Sequence, residues 1–454
     1  MKPGITFAVN AAGGKEPPRD GLPQWCIRAR PGLHCGVIIC ACLWPCSNAA
    51  RGHLPEFFGH EYVRAEEDPA AAPAAAPASQ AARPGLSAPE SHYSFDQQVT
   101  DREKAGGPYA PGLWEPLISL GLYYQGLGDY AAARDAYQRA LHISRVNDGL
   151  NSELQIPILR ELLTIYRTMG DYKALDGAYI YYNRLRVPGT PPYEQRTIDD
   201  ALEYLQWERE AYAQRTDGLR LRHLLQAYLV NARMLRAMAA EPDIRFDWYQ
   251  QIALSQLQNL YLLLGAEPAL LSPSGGTGGT GGSDAIVDMH ISSLQHGAFI
   301  KGKHLLRDLV DRAHNSPPRE MAAVRLELGD WYQWNGEYRG AGREYAEVVS
   351  ILRNANEKQL LEQWLAQPME LPDEQSLWQQ NRASAGQEQV VVASYKVSAR
   401  GEISNINVST SGEDDSGSAR RIKSMLLDTH FRPRFSQGKA ERSGEVIRRY
   451  RLLQ

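Results

Sequence analysis

Residues 120–137 read LGLYYQGLGDYAAARDAY, and residues 328–345 read LGDWYQWNGEYRGAGREY. At the same offsets, both stretches carry a leucine-glycine pair, a tyrosine, a glycine followed by an acidic residue and tyrosine, an alanine and a final tyrosine. Small residues at fixed points let two short helices pack closely, and tyrosines fill the groove between them. The spacing therefore predicts two copies of a helix-turn-helix unit that stacks on its neighbours.

A third and looser copy lies between them, with Leu175 at the position where the other two copies have alanine. It consists of Leu162, Tyr166, Gly170, Asp171, Tyr172 and Tyr179. Because leucine is larger than alanine, we expect the two helices of this copy to sit slightly further apart. The shared pattern resembles the tetratricopeptide repeat, a family of stacked helix pairs.

Composition narrows the classes of protein that this chain can belong to. It has 454 residues, 43% of them hydrophobic, and a formal net charge of −4, so it is long enough for two or three domains and gives no reason to expect nucleic acid as a partner. All cysteines lie in the first 46 residues, at Cys26, Cys35, Cys40, Cys42 and Cys46. The body of the chain therefore has no disulfide, no thiolate nucleophile and no cysteine-ligated metal.

The N-terminal region has the pattern of an export signal. The apolar run 33–43 follows Arg28 and Arg30, and small residues around Ala49 suit cleavage there. We therefore interpret residues 1–49 as a signal peptide region. Lipid attachment at Cys42 or Cys46 and a retained anchor remain alternatives, although a membrane-spanning helix needs roughly 20 apolar residues.

Amino-acid composition and the period of the apolar residues divide the rest of the chain into linkers and domains. We expect an Ala/Pro-rich, largely disordered linker over 50–107 and a helical-repeat domain over 108–366, whose consensus fades after Glu194. A glycine-rich loop is predicted at 272–283, a second linker at 367–388 and a small domain at 389–454. The predicted fold class is mostly α: a helical-repeat solenoid followed by a small α+β domain.

The C-terminal domain is predicted as a β-β-α-β unit. Alternating β-branched residues indicate strands over 390–397, 403–408 and 446–452, and a short amphipathic helix precedes the last strand. These strands, the Gly401 turn and Phe431-Arg432-Pro433 resemble the C-terminal domain of TonB-like energy transducers. Arg434 departs from that family, which usually has alanine after the proline.

This resemblance implies that an extended peptide adds to the edge of the sheet beside the last strand. Unpaired strand edges are templates for such addition. The predicted edge strand comprises Val446, Arg448, Arg449, Tyr450 and Arg451. Twelve Lys/Arg against seven Asp/Glu from Gln389 onward would attract an acidic peptide or an anionic wall polymer.

The repeat resemblance implies a second peptide-binding surface on the concave face of the solenoid. Its predicted residues are Gln125, Arg160, Arg167, Asp330, Gln333 and Trp334. Arg160 and Arg167 lie on successive turns of one helix face, where they could grip a carboxylate together. The helices are rich in tyrosine and tryptophan. For most of these aromatic residues we favour a role in core packing over a role in ligand binding.

Three patterns partly match known phosphate-binding or metal-binding motifs, and each lacks a feature that the motif requires. Residues 276–281 match G-x-G-x-x-G, but no strand precedes them. His60-Glu61 begins a metalloprotease motif, but Arg64 stands where the second zinc ligand belongs. A run of histidines, His290, His296, His304 and His314, lacks the i, i+4 spacing of a metal site and is interpreted as surface histidines. We expect no catalytic residue, no metal and no cofactor.

The favoured hypothesis is a non-catalytic, exported scaffold of the Gram-negative envelope, periplasmic and either free or lipid-anchored. Its partners would be proteins or peptides, and an outer-membrane protein is one candidate. One alternative is a TonB-type transducer that keeps residues 33–45 as an anchor. The other is an enzyme that acts on the cell wall.

Overall fold

The first strong copy folds into two helices that are joined by a glycine turn, as its spacing predicts. The computed structural model describes residues 62–63, 88–186, 192–214, 219–266, 283–372, 388–410, 416–436 and 438–453. The helices that precede the C-terminal domain are α1 (Ala88–Gly106), α2 (Trp114–Gly126), α3 (Tyr130–Asp148), α4 (Ile156–Met169), α5 (Tyr172–Arg186), α6 (Gln195–Gln214), α7 (Arg220–Ala239), α8 (Phe246–Gly265), α9 (Ser283–Arg312), α10 (Pro318–Trp334), α11 (Tyr338–Asn354) and α12 (Lys358–Leu365).

The glycine turn has the same geometry in all three copies of the pattern. Gly128, Gly170 and Gly336 have φ angles of 78°, 69° and 77°, a region that an L-residue with a side chain rarely adopts. Asp129 and Asp171 follow two of these glycines, and each caps the next helix by accepting a hydrogen bond from a backbone amide. The turn chemistry predicted from Gly-Asp-Tyr is confirmed.

The leucine-glycine pair is explained by the tyrosine that ends each copy. A Cβ atom added to Gly121 would lie 2.4 Å from the ring of Tyr137, and one added to Gly329 would lie 2.6 Å from the ring of Tyr345. Both tyrosines are buried. The glycine lets the first helix of a pair lie against the aromatic ring of the second, so the predicted close packing is confirmed.

The third copy, α4 and α5, is a looser pair. Leu163 occupies the position of the glycine, Leu175 occupies that of the alanine, and both are buried. The backbones of α4 and α5 make fewer close approaches than those of α2 and α3 or of α10 and α11. The two larger side chains account for the fewer close approaches, in the direction of the expected wider separation.

Helix pairs continue through the region where the consensus fades. Neighbouring helices pack together from α5 to α10, and α6 also contacts α8. All residues of α8 from Ile252 to Leu263 are buried, including polar ones. Arg209 of α6 donates hydrogen bonds to Ser255 and Asn259 of α8, at 3.1 and 3.2 Å. The middle of the solenoid is therefore held by a buried polar contact as well as by apolar packing.

The predicted linker over 50–107 differs from the structure at its C-terminal end. Residues 88–106 form α1 rather than a disordered segment. Val99 is buried in the core of the first repeats, and Glu103 forms an ion pair with Arg139 of α3. The composition of the segment pointed to a linker, because the few apolar residues of α1 are outnumbered by polar ones and its amphipathic face is weak.

The C-terminal domain has the predicted β-β-α-β core with additional short strands. Its main elements are β3 (Glu388–Val397), β4 (Ile403–Thr410), α13 (Ser416–Asp428) and β8 (Val446–Leu453). The short ones are β1 (Tyr62–Val63), β2 (Met369–Glu370), β5 (Phe431–Arg432), β6 (Arg434–Ser436) and β7 (Lys439–Glu441). Two of these, β1 and β2, come from segments that were predicted to be linkers.

The main sheet is antiparallel, with the order β1-β8-β3-β4. Val391 of β3 lies opposite Thr410 of β4 and Tyr450 of β8. The inward side chains of β3 and β8 pack with Ile422 and Leu426 of α13. Elsewhere β2 pairs with β5, and β6 pairs with β7. The fold class, a mostly α helical repeat followed by a small α+β domain, is confirmed.

Candidate functional site

The residues of α10 that were predicted to line a peptide groove contact the chain's own C-terminal domain. Asp330 of α10 and Arg432 of β5 form an ion pair: Arg432 Nε donates to Asp330 Oδ1 at 2.7 Å, and its Nη2 donates to Oδ2. Nη1 donates to the Trp364 carbonyl at 2.8 Å. The two side chains are only 6% and 1% exposed. A guanidinium in this position is stable only because the carboxylate and the carbonyl satisfy it.

The electrostatics of this contact follow from burial. Burial alone would lower the pKa of Arg432, but the Asp330 carboxylate outweighs it and raises that pKa above the ordinary value. Glu327, one helical turn before Asp330, is also buried. Burial first, and then the charge of Asp330, raise the pKa of Glu327 well above the usual range, whereas Arg432 lowers it. These neighbours favour a protonated Glu327 beside the Asp330–Arg432 ion pair.

Gln333 and Trp334 bind backbone groups of the same domain. Gln333 Nε2 donates to the carbonyls of Arg400 and Phe431, at 2.6 and 3.1 Å. Trp334 Nε1 donates to the Pro372 carbonyl at 2.9 Å, and its ring stacks on His430. These two predicted groove residues and Asp330 are therefore brought together. The segment that occupies them belongs to this chain.

Gly401 explains why the β3–β4 turn can approach α10 so closely. Its φ angle is 83°, and an added Cβ would lie 2.2 Å from the Phe431 carbonyl oxygen and 2.5 Å from Gln333 Nε2. No side chain fits in that space. The glycine that the sequence suggested only as a turn residue also serves the interdomain contact.

Arg160 and Arg167 of α4 bind carboxylates, and these belong to α6. Arg160 donates to Asp200 at 2.9 Å and lies 3.6 Å from Glu203, while Arg167 donates to Glu210 at 3.0 Å. Burial would lower the pKa of both arginines, but neighbouring tyrosine hydroxyls and these carboxylates raise it. The two guanidinium side chains stay half-exposed, at 46% and 49%.

Gln125 of α2 lies at the position that corresponds to Gln333 of α10. Its Oε1 accepts a hydrogen bond of 2.9 Å from the Tyr137 hydroxyl, and its side chain is partly exposed. This hydrogen bond uses the amide oxygen of Gln125 and not its Nε2 donor group. The first repeat therefore presents an amide donor where the last repeat uses the same donor to bind a carbonyl.

The predicted edge strand is β8, which pairs with β3 on one side and, at Arg449 and Tyr450, with β1 on the other, so it is not an unpaired edge at these two positions. Over its described side chains β8 has one buried and one partly exposed face. Val446 and Tyr450 are buried, while Ile447 is 47% exposed and Arg449 is half-buried. The hydroxyl of Tyr450 donates to Glu370 of β2, and burial first, then Glu370, raise the pKa of Tyr450 far above its ordinary value. Arg448 donates to the Pro368 carbonyl at 3.4 Å. The side chain of Arg451 lies outside the described residues.

Several contact residues were not foreseen from the sequence. Arg432 was noted only for a family resemblance, and Glu370 lay inside a predicted linker. Asp200, Glu203 and Glu210 are carboxylates on a helix with degenerate consensus. Only the spacing of Asp200 and Glu203 along one face of α6 could have suggested a partner for the arginines of α4.

The patterns dismissed as chemistry show no site among the described residues. His290, His296, His304 and His314 are exposed, and the part of the chain that the structure describes contains no group of ligands able to hold a metal. Residues 276–281 and His60, Glu61 and Arg64 lie outside the described residues. The described helices include none with the length and apolar character needed to cross a membrane.

Comparisons with known proteins find only a distant similarity. No protein-family model and no curated protein matches it. Among solved structures it is similar to one titled "Crystal structure of BtubC (BKLC) from P. vanneervenii". The two share 14% identity with a TM-score of 0.28, over 60% of this chain and 93% of that one. The fold class therefore rests on the helices and strands described above.

Proposed function

We propose that this chain is a non-catalytic scaffold that binds an extended segment of a protein partner on the inner helices of its first repeats. The repeats resemble tetratricopeptide repeats, and the C-terminal domain resembles that of TonB-like transducers. The observation that carries the proposal is the internal comparison of α2 with α10. The last repeat holds an extended segment of this chain through Gln333, and the first repeat presents Gln125 at the same position.

Differences between the two copies indicate which segment the first repeat would take. Leu122 corresponds to Asp330, which binds the arginine of β5. Gly126 corresponds to Trp334 and has open space where a Cβ would be. The first repeat would therefore fit an extended segment of a partner that has an apolar side chain at the position of Arg432. A backbone carbonyl of that segment would accept a hydrogen bond from Gln125.

The test uses a photo-activated crosslinking residue at Leu122 in the full chain, with Ile180 on the exposed side of α5 as the matched position. We expect a protein of the envelope fraction to crosslink at Leu122 and not at Ile180. Gln125→Glu keeps the acceptor for Tyr137 but removes the amide donor, so it should abolish the crosslink. Equal crosslinking at both positions, or no effect of Gln125→Glu, would refute the proposal.

We further propose that the protein is exported to the periplasm of a Gram-negative cell, either free or lipid-anchored. Support comes from the apolar run at 33–43 and from the absence of cysteine after Cys46. Mass spectrometry of the mature N-terminus tests this. A chain that begins at Ala50, or at a lipidated Cys42 or Cys46, agrees with export, whereas a retained 33–45 segment favours the transducer hypothesis.

A further inference from the structure

Arg209 of α6 is a buried arginine in the middle of the solenoid, far in sequence from the interdomain contact. The residue is 6% exposed. Its Nη1 group donates to Ser255 Oγ at 3.1 Å and to Asn259 Oδ1 at 3.2 Å, both on α8. Because both acceptors are neutral, these hydrogen bonds orient the guanidinium group but do not balance its charge.

The two acceptors belong to a larger network of neutral side chains. Asn259 Nδ2 donates to Gln256 Oε1 at 3.0 Å, and Ser255 Oγ lies 3.0 Å from the amide group of Asn231 on α7. These four residues are buried, and none of them can be ionised. The positive charge of Arg209 therefore lies against a buried surface of neutral dipoles.

The fold compensates this charge poorly. Burial lowers the pKa of Arg209 to about 10, and the Glu210 carboxylate opposes this effect only in part. Glu210 accepts a hydrogen bond of 3.0 Å from Arg167 instead. Among the residues that the structure describes, no carboxylate forms an ion pair with Arg209. An arginine stays ionised in a protein, and a buried charge is costly unless an opposite charge accompanies it.

Arg432 shows how the same fold satisfies a buried arginine. There Nη1 donates to a neutral carbonyl, while Nε and Nη2 together bind the two oxygens of the Asp330 carboxylate. The Nε and Nη2 groups form an edge of the guanidinium that matches two oxygens of a carboxylate or a phosphate. Arg209 also uses Nη1 on neutral oxygens. The described residues supply no carboxylate for its Nε–Nη2 edge.

We propose that Arg209 binds one small free oxyanion, of the class of phosphate, through its Nε–Nη2 edge at the contact of α6 with α8. Ser255 and Asn259 hold the guanidinium through Nη1, so its other edge is oriented before the anion binds. A residue that is 6% exposed suits a small ion rather than a segment of a partner protein. The anion supplies the charge that Asp330 supplies to Arg432, and it stabilises the packing of α6 on α8.

Urea denaturation of the full chain tests whether an anion stabilises the fold through Arg209. A ligand that binds the folded chain alone raises the folded-to-unfolded ratio about tenfold for each tenfold increase in concentration above its Kd. We expect this rise with phosphate, in excess of that with chloride at equal ionic strength. Arg209→Met should lose the excess. Arg233→Met, which removes an exposed arginine of α7, should keep it.

Calorimetric titration of phosphate into the folded chain measures the binding itself. We expect one site in the wild type and in Arg233→Met, and none in Arg209→Met. Arg209→Lys keeps the charge but lacks the planar fork of two donors, so it should bind phosphate at least about tenfold more weakly. The lysine variant also keeps the test decisive if Arg209→Met does not fold.

Three results would overturn the proposal. The first is a wild-type chain that phosphate stabilises no more than chloride does. The second is an Arg209→Met chain that binds phosphate as the wild type does, and the third is an Arg209→Lys chain with unchanged affinity. None of these results bears on the scaffold function, because that function is tested at Leu122 and Gln125.

Discussion

The two strong copies of the repeat, α2/α3 and α10/α11, share their packing and differ in what covers them. In both, a glycine of the first helix lies against a buried tyrosine of the second, and the turn glycine has a positive φ. The inner side of α10 is buried against the C-terminal domain, whereas Gln125 of α2 is partly exposed. The shared residues build the helix pair, and the residues between them decide what that pair binds.

The difference lies in few positions. Asp330 and Trp334 of α10 are replaced by Leu122 and Gly126 in α2. An acidic side chain and an indole recognise Arg432 and the Pro372 carbonyl, respectively. The same kind of helix pair therefore forms an interdomain joint at α10/α11 and carries a partly exposed glutamine at the corresponding position of α2.

The largest effect should come from Arg432→Leu, which breaks the joint in the last copy alone. It leaves the buried Asp330 without its charged partner, and among the described residues only the Tyr345 hydroxyl still donates to it, so we expect a loss of about 3–5 kcal/mol in the free energy of unfolding. Arg160→Leu removes a half-exposed guanidinium, and its buried partner Asp200 keeps an ion pair of 2.6 Å with Arg186, so it should cost at most about 1 kcal/mol. Urea denaturation measures both. Equal losses in the two variants would show that the buried Asp330–Arg432 pair stabilises the fold no more than the half-exposed Arg160 contact does.

The next largest effect should be common to both copies. Gly121→Ala and Gly329→Ala each push a methyl group into a tyrosine ring, so each should cost about 1–3 kcal/mol. Gly126→Ala, where the structure leaves open space, should be neutral or stabilise the helix slightly. Thermal unfolding of the three variants compares them. Tolerance of alanine at Gly121 but not at Gly329 would mean that the two pairs pack differently.

The two glutamines should separate the copies again. Gln333→Ala leaves two interdomain carbonyls without their donor and should cost about 1–3 kcal/mol. Gln125→Ala removes one partly exposed hydrogen bond from Tyr137 and should cost less than about 1 kcal/mol. Hydrogen exchange at Phe431 and Arg432 should rise only in the Gln333 variant. A rise in both would contradict the assignment of Gln125 to an open surface.

The smallest effect, and one confined to the last copy, concerns pH. Because the folded chain raises the pKa of Glu327, this side chain holds its proton at pH values where the unfolded chain, with a pKa of about 4.3, has lost it. Stability should therefore fall as pH rises above that unfolded value. Glu327→Gln should flatten the fall and stabilise the protein near neutral pH by an amount on the order of 1 kcal/mol.

The measurement is the free energy of unfolding between pH 5 and 8 for the wild type, Glu327→Gln and a control. Glu347→Gln is a suitable control because this residue is exposed on α11. Its curve should run parallel to that of the wild type. A Glu327→Gln curve that also runs parallel to the wild type would show that Glu327 is not protonated in the folded chain.

Sequence reasoning was most accurate where the contacts are local. The turn at Gly128, the cap at Asp129 and the packing of Gly121 on Tyr137 all involve residues of one helix pair. It was least accurate for α1, whose place is set by Val99 packing against the first repeats and by the Glu103–Arg139 ion pair. It also missed β2 and β5, because a two-residue strand has no period to detect.

The candidate site shows the same difference between what local patterns predict and what long-range contacts decide. Asp330, Gln333 and Trp334 were singled out together, and the structure brings them together, but on a segment of the same chain. Arg160 and Arg167 were expected to grip one carboxylate of a bound peptide together, but each contacts a different carboxylate of α6 in the same chain. That a partner protein binds at Gln125 stays a prediction.

By itself the sequence determined that this protein is a stack of helix pairs with a small β-containing domain at its end, because the signals for both are short-range periodicities and turn residues. Only the tertiary structure decided that Arg432 is inserted beside Asp330, 102 residues away, and that α4 is joined to α6. A charged side chain is compatible with solvent, with a partner or with a buried ion pair. Which of these it adopts depends on what the fold places within about 3 Å of it, and no local pattern encodes that distance.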